Sequence, residues 1–390
     1  MHADTIAVHA GRADLAALGV HAAPIDLSST YPIPDLDDAI DAFDALAGGA
    51  ADASSPIYAR LSNPTVRRLE RGLAELEGTE DCVAFGSGMA ALTACLLAAC
   101  AERRHVVAIL PLYGGSEHLL ACGLLGLEVT WASLGDVRAA IRSDTALVLL
   151  ETPQNPTLGI VDIAAVVAAA GDTPVLVDNT FATPVLQNPA RHGAALVLHS
   201  ATKFLGGHGD VVAGAVATDG SWASRLRQVR TLTGALLHPF AAYLLHRSLP
   251  TLRFRVLEAQ RRAAVLADLL ADHAMVERVL YPATDGIQLR GPGAVLAFEV
   301  RGGLAAAQAV MASVRLVTPA VSLGSVDTLL EHPAGLTHRL VDPAAKAAAG
   351  ITDGLLRLSV GLEDAGDLWR DLDGALKVAG ALPSTMSRAA

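Results

Sequence analysis

Lysine is nearly absent from this chain. Only Lys203, Lys346 and Lys377 occur among 390 residues, so arginine carries almost all of the positive charge. That charge is in deficit: Lys plus Arg total 29 against 40 for Asp plus Glu, a net of −11. A phosphate-tracking groove is excluded, because nucleic-acid binders concentrate basic side chains, so no nucleic-acid partner is expected. Charge of either sign is scarce, 18% of residues against 52% hydrophobic, which excludes a disordered or solvating chain. Cysteine is scarce as well. Cys82, Cys95, Cys100 and Cys122 lie in apolar stretches without CxxC spacing, so neither a disulfide framework nor a zinc ribbon is predicted, and all four read as reduced packing residues. Long apolar runs are missing too. Cys82 to Ala101 is free of charge over 20 residues, but Gly86, Ser87 and Gly88 interrupt it, which predicts a strand, a turn and a buried helix rather than a membrane span. Met1 to Gly19 carries Asp4, Arg12 and Asp14 and lacks the apolar segment of a secretory signal. A cytoplasmic protein with no membrane partner is the expectation.

What is present reads as an α/β protein. The first sixty residues are punctuated by Pro24, Pro32, Pro34, Gly48, Gly49 and Pro56, and predict an extended N-terminal arm over 1–60. Beyond it, helical periodicity over Val66–Glu77 precedes a strand at Cys82–Phe85 and a helix at Ala90–Ala101. Short apolar runs at Val106–Leu110, Ala146–Leu150, Val175–Val177, Leu196–His199 and Val211–Ala217 alternate with helical stretches. This pattern predicts a large, mostly parallel sheet covered by helices over 61–250. A long Arg-rich helix from near Thr251, carrying Arg253, Arg255, Arg261 and Arg262 on a solvated or interface face, leads into a smaller α/β unit over 251–390. There Val295–Val300, Leu316–Thr318 and Leu355–Val360 read as strands, and Leu304–Ser313 and Asp364–Ala379 as helices.

Of the three lysines, Lys346 and Lys377 sit in alanine-rich helical stretches and read as solvated. Lys203 instead follows the apolar run Ala194–Leu198 and lies among hydroxyls and glycines in His199-Ser200-Ala201-Thr202-Lys203-Phe204-Leu205-Gly206-Gly207. At the edge of a buried sheet, desolvation lowers an amine pKa toward the range of a nucleophile. Asp178 follows the strand Val175–Val177, at the strand edge where parallel sheets bind ligands. On its own an Asp there is an ordinary cap. Paired with Lys203, it supplies the two groups that pyridoxal phosphate needs: an amine for the aldehyde and a carboxylate for the protonated pyridine nitrogen. Gly86-Ser87-Gly88-Met89, between strand and helix, offers amides to a phosphate and lacks the GxGxxG spacing of a dinucleotide site. Tyr113, after another strand, offers an aromatic face to a planar ring. His192, His199 and His208 are irregularly spaced and without acidic or cysteine ligands, so no metal is expected.

The stretches VDNTFATPVLQNP from Val177 and SATKFLGGHGDVVAG from Ser200 resemble the signature of the pyridoxal-phosphate-dependent Cys/Met-metabolism enzymes. That group includes cystathionine γ-lyase, methionine γ-lyase, cystathionine γ-synthase and O-acetylhomoserine sulfhydrylase. The likeness runs from Tyr58-Ala59-Arg60-Leu61-Ser62-Asn63-Pro64-Thr65 to Arg357-Leu358-Ser359-Val360-Gly361-Leu362-Glu363, nearly the whole chain. It implies the aspartate-aminotransferase-like architecture called fold type I. By matching positions it also implies that Lys203 holds the cofactor and later acts as a base, that Asp178 pairs with the pyridine nitrogen, and that Tyr113 stacks on the ring and protonates the leaving sulfur. Gly88, Met89, Ser200 and Thr202 would hold the phosphate, with Tyr58 and Arg60 reaching it from a neighbouring subunit. Arg357, Asn155 and Ser322 would grip the substrate carboxylate. Dimers sharing active sites, paired into a tetramer, follow from the same resemblance.

Within the family, Ala320-Val321-Ser322-Leu323-Gly324, Glu331-His332-Pro333-Ala334 and Thr337-His338 are most similar to the methionine γ-lyase branch. The implied reaction is γ-elimination from methionine, cystathionine or both, giving a thiol, 2-oxobutanoate and ammonia. Three positions bear on the substrate. Gly115 stands where methionine γ-lyases have cysteine, Arg230-Thr231 replaces their Lys-Asp pair, and Val321 is apolar where cystathionine-processing members are often acidic. The alternatives are γ-replacement by a sulfhydrylase or synthase, a catalytically silent binding protein on the same scaffold, and a nucleotide-binding α/β protein, the last two opposed by the pairing of Lys203 with Asp178.

Overall fold

The computed structural model describes residues 1–382. Seven strands form the larger sheet: β1 (Asp81–Phe85), β2 (His105–Ile109), β3 (Glu128–Ala132), β4 (Thr145–Glu151), β5 (Val175–Asp178), β6 (Leu196–His199) and β7 (Gly214–Thr218). Their spatial order is β1-β7-β6-β5-β4-β2-β3. Pairings from β6 through β5, β4 and β2 to β3 are parallel, and β7 runs antiparallel to both β6 and β1. Alternate residues of one strand enter different cores, as a sheet buried on both faces requires. Val106 and Ala108 pack with Leu92 and Leu96 of the helix Gly88–Ala99, whereas Val107 and Ile109 pack with Ile163 and Val166 of the helix Ile163–Ala170.

A second sheet holds β8 (Val276–Leu280), β9 (Val295–Val300), β10 (Thr318–Pro319), β11 (Leu329–Glu331) and β12 (Leu355–Ser359) in the order β10-β11-β12-β9-β8. All its pairings are antiparallel except β10 with β11. Helices Gly303–Ser313 and Ala365–Gly380 cover it through Val310, Leu368, Leu372 and Leu376. Among the described residues, no helix is long and apolar enough to cross a membrane.

Several boundaries differ from the sequence expectation. The long helix begins at Pro239, not near Thr251, and runs unbroken through Pro250 to Ala271, so the expected division at 250/251 falls inside it. An interior proline costs about 3 kcal/mol. Here a buried stripe on both sides of it, Leu245 and Leu249 before and Leu252, Val256 and Leu266 after, offsets that cost. Arg255 on this helix is buried rather than solvated, and donates to the carbonyls of Phe204 at 2.7 Å and Ser248 at 3.1 Å.

The arm over 1–60 is not wholly extended, since it contains helices Ala3–His9 and Leu36–Ala47, the latter capped by the Asp35 carboxylate. It is pinned to the helix Pro64–Glu77 by the Arg68–Asp14 fork and by the Thr65 hydroxyl on the Asp26 amide. The strand expected over Val211–Ala217 starts at Gly214, and that over Leu316–Thr318 is the two-residue β10. Cys122 is exposed, unlike the other three thiols, and all four are unpaired.

Candidate active site

The carboxyl ends of β4, β5 and β6 open into a cavity of about 570 Å³ that also receives Tyr113, Val321, Ser322, Leu336 and Arg357. Every expected site residue except Tyr58 and Arg60 lines it: Lys203, Asp178, Tyr113, Gly88, Met89, Ser200, Thr202, Asn155, Ser322 and Arg357.

Lys203 lies in the turn after β6, and its Nζ donates to the Ser322 hydroxyl at 2.7 Å. Burial, reinforced by the Arg357 charge, lowers its pKa to about 8, with Glu331 opposing. Below pH 8 the amine is mostly protonated and unreactive, and above it mostly free. Reductive labelling of Lys203 by an aldehyde in cofactor-free protein is therefore expected to rise through pH 8 and level off by pH 9, as read by peptide mass. A midpoint near 10 shows that the cavity does not desolvate the amine. Ser322 itself has φ +104, a conformation rare for a side-chain-bearing residue and often found at functional sites.

Asp178 ends β5. Both hydrogen bonds it receives, from the Thr180 amide at 3.0 Å and the Thr180 hydroxyl at 2.6 Å, fall on Oδ1. Burial raises its pKa, and no cation is hydrogen-bonded to it among the described residues. Such a carboxylate is suited to receive a cationic N–H. Across the strand pair, Glu151 stands in register with Asp178 and accepts the Tyr113 amide at 2.9 Å. Its own pKa is raised by burial and by the neighbouring Asp178.

An anion cradle lies on the other side. The Ser87 hydroxyl caps the helix Gly88–Ala99 through the Ala90 amide at 3.0 Å, which leaves the Gly88 and Met89 amides without intrahelical acceptors. Gly88 has no side chain because a Cβ there would sit 3.0 Å from the Ser200 Cβ, so the helix end closes directly on the lysine loop. Thr202 is less available than the sequence implied, because its hydroxyl bridges the Ala213 amide at 2.9 Å and carbonyl at 3.2 Å. Helix-end amides, a hydroxyl, a desolvated amine and a carboxylate without a hydrogen-bonded cation among the described residues line one cavity and form a donor set that fits pyridoxal phosphate.

Arg357, in the middle of β12, donates to Asn155 Oδ1 at 2.8 Å and to the Ser322 carbonyl at 2.9 Å, and is ion-paired with Glu331. Tyr58 and Arg60 do not reach this cavity. Both are exposed, with the Arg60 guanidinium 5.5 Å from the Tyr58 ring centre and its Nη1 3.4 Å from the Thr231 carbonyl. Arg230 points away from the site into a buried ion pair with Glu70 at 2.6 Å. Gly115 accommodates the Tyr113 ring, since a Cβ there would lie 2.6 Å from the ring edge.

Sequence reasoning missed Glu151, Thr180, Phe181 and Glu331. Thr180, Phe181 and Glu331 lie in stretches that carry the family likeness but were given no role there, and Glu151 showed only as a charge ending the apolar run Ala146–Leu150. His199, weighed as a metal ligand, is buried against Glu77 at 2.6 Å, in a network with Asn179 and Asn188.

The chain resembles known proteins over nearly its full length. The sequence profile of the family described as Cys/Met metabolism PLP-dependent enzyme matches residues 4–377. An L-methionine gamma-lyase of Streptomyces avermitilis is 59% identical, over 96% of this chain and 88% of its own. Another, from Brevibacterium sandarakinum, is 54% identical over 96% and 98%. Among solved structures, a cystathionine gamma synthase from Xanthomonas oryzae superposes with TM-score 0.88 at 38% identity, covering 98% of this chain and 99% of that one. A cystathione gamma lyase from Micromonospora echinospora gives 0.86 at 36%, covering 97% and 99%. With its lysine, carboxylate and anion cradle converging at the strand ends of a fold type I sheet, the chain belongs to the Cys/Met-metabolism family of pyridoxal-phosphate-dependent enzymes.

Proposed function

We infer that the chain is a pyridoxal-phosphate-dependent carbon–sulfur lyase that eliminates the γ substituent of methionine, giving methanethiol, 2-oxobutanoate and ammonia. The observation that carries the choice of substrate is the group of apolar side chains lining the cavity, Val212, Val321, Leu323 and Leu336, where the only acidic lining residues among the described residues are Glu151, which accepts the Tyr113 amide, and Asp178. An uncharged thioether suits such a wall, whereas the distal ammonium of cystathionine finds no partner there. The relatives named L-methionine gamma-lyase support the same reading.

The bound cofactor supplies an electron sink for charge developing on the substrate carbons. The chain's own residues do the rest. Gly88, Met89 and Ser200, with weaker help from Thr202, hold the phosphate, while Asp178 keeps a proton on the ring nitrogen. Arg357 and Asn155 orient the substrate carboxylate. Lys203 removes the α proton, a β proton leaves in a second deprotonation before the γ carbon–sulfur bond breaks, and Tyr113, fixed by Glu151 at its amide, delivers a proton to the departing sulfur; one water is consumed as 2-oxobutanoate and ammonia are released. Methionine supplied alone is expected to yield methanethiol and 2-oxobutanoate in equal amounts. γ-Replacement is the second reading, favoured by the likeness to a cystathionine gamma synthase. Faster product formation from O-acetylhomoserine plus sulfide or cysteine than from methionine decides for it.

Val321 is 53% exposed on the cavity wall, so a longer side chain fits without disturbing the core. Val321→Glu is expected to shift the kcat/KM ratio toward cystathionine by roughly tenfold, by pairing with its distal ammonium. A ratio that stays fixed, or moves toward methionine, removes Val321 from the distal wall.

We further propose that the enzyme works in the cytoplasm as dimers that share active sites, paired into tetramers. Leu27, Ile33, Leu36 and Phe43 of the arm, together with Val212 and Leu232, are exposed apolar side chains that a neighbouring subunit can cover. Tyr58 and Arg60 then complete the neighbour's phosphate site. The long helix Pro239–Ala271 spans the expected boundary between the large unit over 61–250 and the smaller one over 251–390, of which 383–390 lie outside the described residues.

A further inference from the structure

Arg357, the residue assigned above to the substrate carboxylate, already holds a carboxylate. Glu331 stands opposite it in the β11–β12 register, and the two side chains are ion-paired with 1% and 2% of their surfaces exposed. The guanidinium has five N–H donors. Nη2 donates to Glu331 Oε2 and to the Ser322 carbonyl, Nη1 donates to Asn155, and Nε is buried with no partner among the described residues. A carboxylate binds a guanidinium in a fork, through Nε with Nη2 or through Nη1 with Nη2. Either fork needs Nη2, which is occupied on both of its hydrogens.

We propose that Glu331 is a resident counter-ion, occupying on Arg357 the place that the substrate carboxylate takes by displacing it from Nη2. The proposal rests on the reading that Arg357 binds the substrate carboxylate. In the empty site, Glu331 keeps a deeply buried cation neutralised and oriented, which an unpaired guanidinium there could not sustain. The neighbouring charges do not substitute for it. Lys203 is cationic or neutral, and Glu151 is held toward its neutral form by burial and by Asp178. Glu331 is also tied to the cavity wall, its Oε1 accepting the Thr337 amide at 3.3 Å. It is a positioning residue that competes with the ligand it prepares for.

A competitor and a purely structural prop predict opposite signs. The probe is propanoate, a carboxylate without an amine, titrated into holoenzyme by calorimetry and by thermal melting. Glu331→Gln keeps an acceptor for Nη2 and removes the charge. It is expected to melt lower than wild type without ligand, to bind propanoate roughly tenfold more tightly, and to gain more in Tm on saturation. Propanoate binding equal to or weaker than wild type overturns the proposal. Should the Gln variant not fold, Glu331→Asp, whose shorter side chain withdraws from Nη2, is expected to tighten binding in the same direction, and unchanged or weaker binding there overturns the proposal equally. Arg357→Ala separates the two layers of the argument. Propanoate binding is expected to vanish in it, and binding that survives overturns the assignment of Arg357 itself.

Discussion

Lys203→Ala protein is expected to fold, to lose the absorption band of the cofactor held covalently by the lysine, leaving that of the free aldehyde, and to turn over methionine at least about 10³-fold more slowly than wild type. The fold survives because, among the described residues, the Lys203 side chain makes a single hydrogen bond, to Ser322. The phosphate cradle and Asp178 also remain, so the cofactor still binds, but non-covalently. Two losses combine in the rate: the covalent anchorage of the cofactor and the base for the α proton. Borohydride treatment of wild type, followed by peptide mapping, is expected to place the label on Lys203. A label on Lys346 or Lys377 sinks the assignment. Lys377, exposed and paired with Asp373 at 2.6 Å, has neither the desolvation nor the neighbours to compete. Small primary amines added to Lys203→Ala are expected to restore part of the proton transfer, which separates a missing base from a damaged site.

How much of this site was legible in the sequence depended on whether a role is carried by local order or by distant pairing. Asp178 ends one apolar strand and Lys203 lies in the turn just beyond another, and the rule that parallel sheets bind at their carboxyl ends brings them together without a coordinate. The Gly88 and Met89 amides were legible for the same reason, being at a turn between a strand and a helix. Glu331 was not. Its partner Arg357 lies 26 residues away, and only the antiparallel register of β11 with β12 sets them face to face. Strand β11 itself is three residues long, too short for any alternation to show. The start of the long helix was hidden by Pro250, which reads as a boundary when its buried partners are unknown. The helix Leu36–Ala47 was obscured by its surroundings, since the prolines and glycines that flank it made the whole arm read as extended.

Mixing two crippled subunits is expected to restore activity. Arg60→Ala is expected to lower turnover by roughly 10²-fold at limiting cofactor, because a charge-assisted contact to the phosphate would be lost. Lys203→Ala is inactive for the reasons above. If Arg60 serves its own subunit, every site in a mixture keeps one of the two defects and nothing returns. If it serves the neighbour, a hybrid dimer holds one doubly defective site and one site with both wild-type groups. Random exchange at equal concentrations makes half of the dimers hybrid, so about one quarter of all sites, and about one quarter of wild-type activity, is expected to reappear. The geometry favours the second case. Within one chain Arg60 lies exposed against Tyr58 and the Thr231 carbonyl, outside the cavity that holds every other phosphate ligand. Differently tagged subunits, followed by native mass spectrometry, establish that exchange has occurred. Exchange without recovered turnover means that the site is complete within one subunit, and that Tyr58 and Arg60 have no part in holding the phosphate of a neighbour.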